Sequence, residues 1–416
     1  MNNGGENGRK YNVPVLFLYK NLLIWLFSVK KLRRIVFNMY LCGETTKKTV
    51  MLIKFAVKNF RGFAERIEWD LSQPNNYSFN TYAIKDGVIK NGIIYGPNGS
   101  GKTNFSIALF DIVNHLTQKS KKPDYYQNFV YGGDANLIVD FEYTFKFDNQ
   151  VVVYQYSKNV FAALVKEALI VDGATIFKRG IGTLDLDENQ FPINKDAKRN
   201  LQMNANSISI VNYLLTSYPL AKDHYLIRMR NFVDSMLWFR CLKVNEYMGF
   251  DNVSTILDEY IIQNNLVKDF SGFLKNVSGQ DFEFVQSKTI DKVLFCKLGN
   301  GVVAFDLIAS TGTQSLKLLY FWLKKMGDAS FVFIDEFDAF YHFKLAFEVC
   351  KQLFNLNCQV FTSSHNTYLM TNDLLRPDCN FILQNNKIKP LQACTEKELR
   401  FGHNIEKLFR GGAFEV

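Results

Sequence analysis

An α/β fold is expected of this chain: a mixed sheet with a parallel core, interrupted by a helical insertion. Three features carry the expectation. The short apolar strand Gly92-Ile93-Ile94-Tyr95 runs straight into Gly96-Pro97-Asn98-Gly99-Ser100-Gly101-Lys102-Thr103, after which Asn104–Leu116 has helical periodicity. From residue 314 onward helix and strand patterns alternate, which is βαβ wiring and implies parallel strands. A composition of 47% hydrophobic and 21% charged residues over 416 positions supplies ample core, and eight prolines with 25 glycines exclude a collagen-like or linker-dominated chain.

The elements follow in order. Residues 1–50 hold nine Lys or Arg against Glu6 and Glu44, a net of +7. Residues 51–416 therefore carry 40 basic against 38 acidic groups, only +2 of the overall +9, so the charge of the body gives no general argument for nucleic-acid binding. Within the leader, Val13–Val29 is apolar and is followed by Lys30, Lys31, Arg33 and Arg34. The run is short of the ~20 residues of a span and carries Lys20 and Asn21 at its middle, and no small-residue cleavage site follows it. Three readings stay open: an over-extended start with the domain opening at Met51, a membrane-surface anchor, or an ordinary helix.

Strand alternation opens the body at 52–58 and 66–70 and returns at 137–146, 151–157 and 167–171. Helical patterns dominate 195–280, at Ala221–Leu242 and Val253–Val277. Strand signals resume at 281–286, 292–297 and 302–307, the last two joined by the hairpin-type turn Gly299-Asn300-Gly301. Helix Gln314–Lys325, strand Phe331–Ile334, helix Ala339–Leu356 and strand Gln359–Thr362 complete the reading. The expected organisation is a leader (1–50), an N-terminal lobe (51–194), a helical insertion (195–280) and a C-terminal lobe (281–416). Seven scattered cysteines (42, 241, 296, 350, 358, 379 and 394) form no CxxC pair, and we read them as reduced, buried residues of a cytoplasmic protein.

The chemistry concentrates in four short segments. Gly96–Thr103 matches G-x-x-x-x-G-K-[ST] between a strand and a helix, as a phosphate loop requires. Its glycines let backbone N–H groups fold around phosphates, Lys102 reaches the β and γ phosphates, and Thr103 offers a hydroxyl to Mg²⁺. Phe331-Val332-Phe333-Ile334-Asp335-Glu336 is an apolar strand ending in two carboxylates, with Asp335 suited to Mg²⁺ and Glu336 to orienting and deprotonating water. An Asp-Glu pair in isolation is more often a strand-end cap; the phosphate loop upstream changes its meaning. Ser310-Thr311-Gly312-Thr313-Gln314 stands at the N-cap of an apolar-periodic helix, a second anion site, and His365 follows strand Gln359–Thr362.

In this order the segments resemble the ABC-type ATPase head, and Met51–Gly62 (MLIKFAVKNFRG) resembles the opening strand and N-F-R turn of RecF, SMC and OLD-type ATPases. The gap of roughly 200 residues between phosphate loop and signature, the D-loop-like Asp338-Ala339-Phe340-Tyr341-His342 and the tail Gly402–Lys407 are similar to compact AAA/OLD-like prokaryotic ATPases often encoded beside a nuclease or toxin in anti-phage defence. The resemblance implies ATP and Mg²⁺, and a head-to-tail pair in which Ser310, Thr311 and Gly312 of one copy close on the ATP held by Lys102 of the other. It also brings Arg61 to the nucleotide and gives His365 the γ phosphate. Against the usual L-S-G-G-Q, Thr311 stands at the serine and Thr313 at the second glycine. The glutamine that normally contacts Mg²⁺ is not assigned; Gln150 and Gln155 are its candidates.

The implied function is a dimerising ATPase that controls a separate effector, a nuclease or toxin. The alternative is a RecF-like repair ATPase that binds DNA directly. The nucleotide subunit of a membrane importer or exporter is disfavoured, because such subunits place signature and phosphate loop much closer together; no membrane partner is expected. About fifty residues follow His365, too few for a fused nuclease domain, so cleavage would need another protein.

Overall fold

A computed structural model describes residues 50–117, 119, 129–204, 208–240, 246–249, 256–285 and 292–415. Readings that fall on the leader, Cys42 and Cys241 lie outside the described residues. Residues 50–416 form one compact unit.

Two seven-stranded sheets organise this unit. The first is wholly antiparallel and contains β1 (Val50–Lys58), β2 (Ile67–Asp70), β6 (Val139–Phe147), β7 (Gln150–Lys158), β8 (Leu164–Val171), β9 (Ala174–Gly180) and β10 (Thr183–Leu186), in the order β10-β9-β8-β7-β6-β1-β2. The second contains β5 (Asn91–Tyr95), β11 (Met236–Arg240), β12 (Glu246–Gly249), β16 (Phe331–Asp335), β17 (Gln359–Ser364), β18 (Asn380–Gln384) and β19 (Lys387–Pro390). Its order is β12-β11-β16-β17-β5-β18-β19, with parallel pairing from β11 to β18 and antiparallel strands at both edges. Small ribbons are made by β3 (Ile84–Lys85) with β4 (Val88–Ile89), and by β13 (Phe284–Val285), β14 (Phe295–Leu298) and β15 (Gly301–Ala304). The expected turn at Gly299-Asn300 joins β14 and β15. This mixed sheet with a parallel core is the α/β architecture expected from the sequence.

Helix α1 (Lys102–Leu109) fills the space between the sheets, and α2 (Asp111–Leu116) continues from it. Phe105 packs edge-on against Phe55 of the antiparallel sheet, and the Tyr143 hydroxyl donates to the Ala108 carbonyl at 3.1 Å. Toward the other sheet the Trp238 indole N–H donates to Ser106 Oγ at 2.9 Å. The helix carrying the phosphate-loop lysine is therefore buried on both sides, and its apolar content reflects that.

The sheets are also joined directly. Pairing between β1 and β6 shifts register between Leu52 and Lys54, and the buried Gln359 side chain bonds to the Leu52 backbone there. Leu52 N–H donates to Gln359 Oε1 at 2.7 Å, while Gln359 Nε2 donates to the carbonyls of Leu52 (2.9 Å) and Ile89 (3.3 Å).

Helices α3 (Lys195–Met203), α4 (Ile210–Ser217) and α5 (Tyr225–Asp234) precede β11; α6 (Leu257–Gln263) and α7 (Val267–Ser278) follow β12; α8 (Phe305–Ile308) follows β15. The helix expected over Ala221–Leu242 is thus corrected. It ends at Asp234, and Met236–Arg240 is a strand of the second sheet, the last of its parallel run and next to the edge strand β12. Met236, Leu237, Trp238 and Phe239 are all fully buried. A short, continuous apolar run fits a strand covered on both faces as well as it fits a buried helix, so periodicity alone cannot separate the two. Likewise the strand expected over 302–307 stops at Ala304, where α8 begins. Helices α9 (Thr311–Lys325), α10 (Phe343–Phe354) and α11 (Ile405–Arg410) complete the unit. Among the described residues no helix is long and apolar enough to cross a membrane.

Candidate functional site

The site is built where neighbouring parallel strands end. Registers Arg240↔Asp335, Ile334↔Thr362 and Ser364↔Tyr95 align the tips of β11, β16, β17 and β5. Ligands of α/β sheets bind at such carboxyl ends, where loops can vary without disturbing the ladder.

From β5 the chain enters Gly96–Gly101 and turns into α1, whose N-cap is Gly101. Gly101 has φ 98°, and a Cβ there would lie 2.8 Å from the Phe63 ring, so glycine is required both by conformation and by space. The Lys102 side chain is buried and lies back along the loop, donating to the carbonyls of Gly96 (2.7 Å) and Pro97 (3.1 Å), with His365 Nδ1 3.5 Å away. Burial pushes the ammonium below the usual lysine value, opposed by the charges of Asp335 and Glu336.

Thr103 Oγ1 donates to Asp335 Oδ2 at 2.8 Å, so the two expected Mg²⁺ ligands already touch. A hydroxyl and a carboxylate are hard oxygen donors of the type Mg²⁺ takes together with phosphate oxygens, and the pair fits that ion. One hydroxyl then fixes both carboxylate residues: Ser363 Oγ donates to Asp335 Oδ1 (2.7 Å) and accepts from Glu336 N–H (2.8 Å). Glu336 itself sits in the left-handed region at φ 50°, a strained conformation for a non-glycine residue at a strand tip. His365 follows β17 and is exposed. Its imidazole is held below the ordinary histidine range by partial burial and then by the neighbouring Lys102 charge.

Arg61 lies at φ 47° in the turn after β1, and its Nη1 donates to Asn104 Oδ1 at 3.1 Å. It therefore adjoins the first turn of α1 through Asn104. The segment Ser310–Gly312 is positioned as a helix start: Ser310 is the N-cap of α9 and accepts from Thr313 N–H at 3.2 Å. Gly312 packs closely, since a Cβ there would lie 2.9 Å from the Phe340 carbonyl in the turn after β16. No hydrogen bond from Ser310, Thr311 or Gly312 to the phosphate loop occurs among the described residues; their contacts run to Gln280, through Thr313, and to Phe340. Both glutamine candidates are engaged in the antiparallel sheet, Gln150 with Asp172 (3.2 Å) and Gln155 with Glu142 (2.7 Å).

Two residues at the site were not singled out from the sequence. Ser363 is a polar residue near the end of a strand, with no distinguishing pattern. Arg240 is more informative: its Nε donates to Asp335 Oδ2 at 2.9 Å and its Nη2 to Thr103 Oγ1 at 3.0 Å. Burial opposes its charge, but Asp335 and Glu246 outweigh that and raise it above the usual arginine value. The signal for it was Met236–Phe239 followed by Arg240, an apolar run ending in a charge just as Phe331–Ile334 ends in Asp335.

A family model described as "AAA domain, putative AbiEii toxin, Type IV TA system" matches residues 93–371. None of the curated proteins compared with the chain matches it. Distant likenesses in solved structures include the SMC head domain from Thermotoga maritima, with 14% identity, TM-score 0.39 and coverage of 81% of this chain and 97% of that one. A second is an Smc head domain with a coiled coil and joint derived from Pyrococcus yayanosii, with 9% identity, TM-score 0.42 and coverage of 88% and 100%. A third is an SmcHead bound to the C-winged helix domain of ScpA, with 13% identity, TM-score 0.41 and coverage of 82% and 97%. The family match spans Gly96–Thr103, Ser310–Gln314, the strand ending in Asp335 and Glu336, and His365, well over half of the sequence, and the chain belongs to this AAA domain family.

Proposed function

We propose that this chain binds and hydrolyses ATP, that two copies close head-to-tail around the nucleotide, and that this closure controls a separate effector, a nuclease or toxin, in anti-phage defence. The observation that supports the reading best is the meeting of Lys102, the Thr103–Asp335 pair, Glu336 and His365 at adjacent strand tips. The family's description as a putative toxin of a type IV toxin–antitoxin system supports a role in such a system.

The steps follow from the residues. Lys102 exchanges the Gly96 and Pro97 carbonyls for β and γ phosphate oxygens, a better match for an ammonium whose charge burial disfavours. Thr103 and Asp335 would hold Mg²⁺, which would supply neutralising charge at the phosphates. Glu336 orients the attacking water and takes its proton, while His365 contacts the γ phosphate. The α9 N-terminus at Ser310–Gly312 meets the nucleotide of the second copy and favours its negative charge. ATP thus binds the closed pair better than the open one, and hydrolysis removes that difference.

The test is Glu336→Gln. It should keep ATP binding, slow turnover by about 10²-fold to 10⁴-fold and accumulate an ATP-bound dimer in size-exclusion chromatography. Hydrolysis at the wild-type rate would overturn the base assignment, and a monomer saturated with ATP would overturn the pairing.

A further inference from the structure

Thr103 Oγ1 and Asp335 Oδ2 have a resident partner. The Arg240 guanidinium spans both oxygens with two separate N–H groups, from the tip of the neighbouring strand, in register with Asp335. The Thr103 hydroxyl gives its single proton to Asp335 and presents a lone pair to Arg240. A divalent ion bonding the same pair has to take a place on Asp335 Oδ2, which already accepts from both Thr103 and Arg240, and it adds charge beside a guanidinium that does not lose its proton. The ion and the guanidinium therefore compete for that carboxylate oxygen.

The guanidinium has a second carboxylate within reach. Glu246 faces Arg240 across β11 and β12, with its Oε2 3.6 Å from Nη1, and its side chain is 30% exposed where Asp335 is fully buried. Arg240 therefore lies between an inner carboxylate that belongs to the cation site and an outer one that does not.

We propose that Arg240 is a positioning residue that competes with the divalent cation for Thr103 and Asp335, and that the cation is admitted when the guanidinium withdraws to Glu246. This rests on the reading of Thr103 and Asp335 as the Mg²⁺ ligands of an ATP site. It makes cation binding and nucleotide binding unequal partners: metal alone has to displace Arg240, whereas metal arriving with phosphates brings its own compensating charge.

The test uses Mn²⁺ alone, titrated into the full chain without nucleotide and followed by the electron paramagnetic resonance of the free ion. Arg240→Gln should tighten Mn²⁺ binding by about ten-fold or more, the size of a typical coupling between competing ligands. Glu246→Gln should do the opposite, weakening it by removing the outer partner. The double variant should match Arg240→Gln, because Glu246 reaches the cation site only through the guanidinium. Should Arg240→Gln not fold, Arg240→Lys keeps the charge but not the two-pronged contact, and should bind Mn²⁺ more tightly than wild type. Unchanged affinity in the Arg240 and Glu246 variants overturns the proposal, as does weaker Mn²⁺ binding in the Arg240 variants, which would make the guanidinium a support of the site. ATP binding in the presence of Mg²⁺, measured on the same samples, separates the two failures. If wild type does not bind ATP, the ATP reading falls; if it does and the Mn²⁺ affinities do not move, only the competition falls.

Discussion

Lys102 helps to set the proton affinity of His365. The imidazole is held below its ordinary value of 6.5 by partial burial and by the Lys102 charge, so at neutral pH it is uncharged and can accept from the ammonium. Because the folded chain protonates His365 at lower pH than the unfolded chain, this contribution to stability is complete above about pH 6.5 and declines as pH falls toward the depressed value. Replacing Lys102 by Met should raise the His365 midpoint, observable by NMR among the five histidines of the chain. Lys102→Ala should also abolish ATP binding, measured by calorimetry. At this scale the sequence was most legible where chemistry demands a fixed spacing. Thr103 and Asp335 meet as their motifs required. Arg240 and Ser363 escaped notice because a single Arg or Ser has no such pattern, and only the strand register brings them to the Asp335 carboxylate.

Helix α9 shows what an element contributes. Its start is set by Ser310, and Ser310→Ala should cost about 1 kcal/mol of stability through loss of the cap, read from the urea midpoint. Its hold on the rest of the fold is stronger. Lys317, buried on α9, donates to Asp258 Oδ1 of α6 at 2.6 Å and also pairs with Asp306 of α8. Asp258 Oδ2 in turn accepts from Leu294 N–H at 2.9 Å. Asp258→Ala leaves a buried ammonium with one half-exposed partner and should destabilise the unit by roughly 3–5 kcal/mol, a difference that thermal unfolding resolves. Elements with a local signature were legible: α1 after its glycine loop, α9 after its cap, and the hairpin at Gly299-Asn300. Strand β11 was not, since its burial comes from the strands and helices on either side, which no window of sequence contains.

At the scale of the molecule, the unit from Val50 onward has its own core, and Val50 already pairs with Phe147. A fragment of residues 50–416 should therefore fold and keep any ATPase activity of the full chain, checked by circular dichroism and phosphate release. That fragment has almost no net charge, which predicts no salt-sensitive affinity for duplex DNA; titrations at rising ionic strength that showed such affinity would favour the RecF-like alternative. The α/β class and the parallel wiring of the last hundred residues were readable, because alternation of helix and strand leaves few topologies. Which strands neighbour each other was not, since β5 lies between β17 and β18, far away in the chain. The Gln359 side chain has a mechanical meaning within this layout. Its amide stitches the first strand of one sheet to the root of the strand that carries His365 at its far end, so torque applied to either layer is felt by the other. Motion of one sheet against the other would have to break these hydrogen bonds, and cutting the stitch with Gln359→Leu should loosen His365 from a distance.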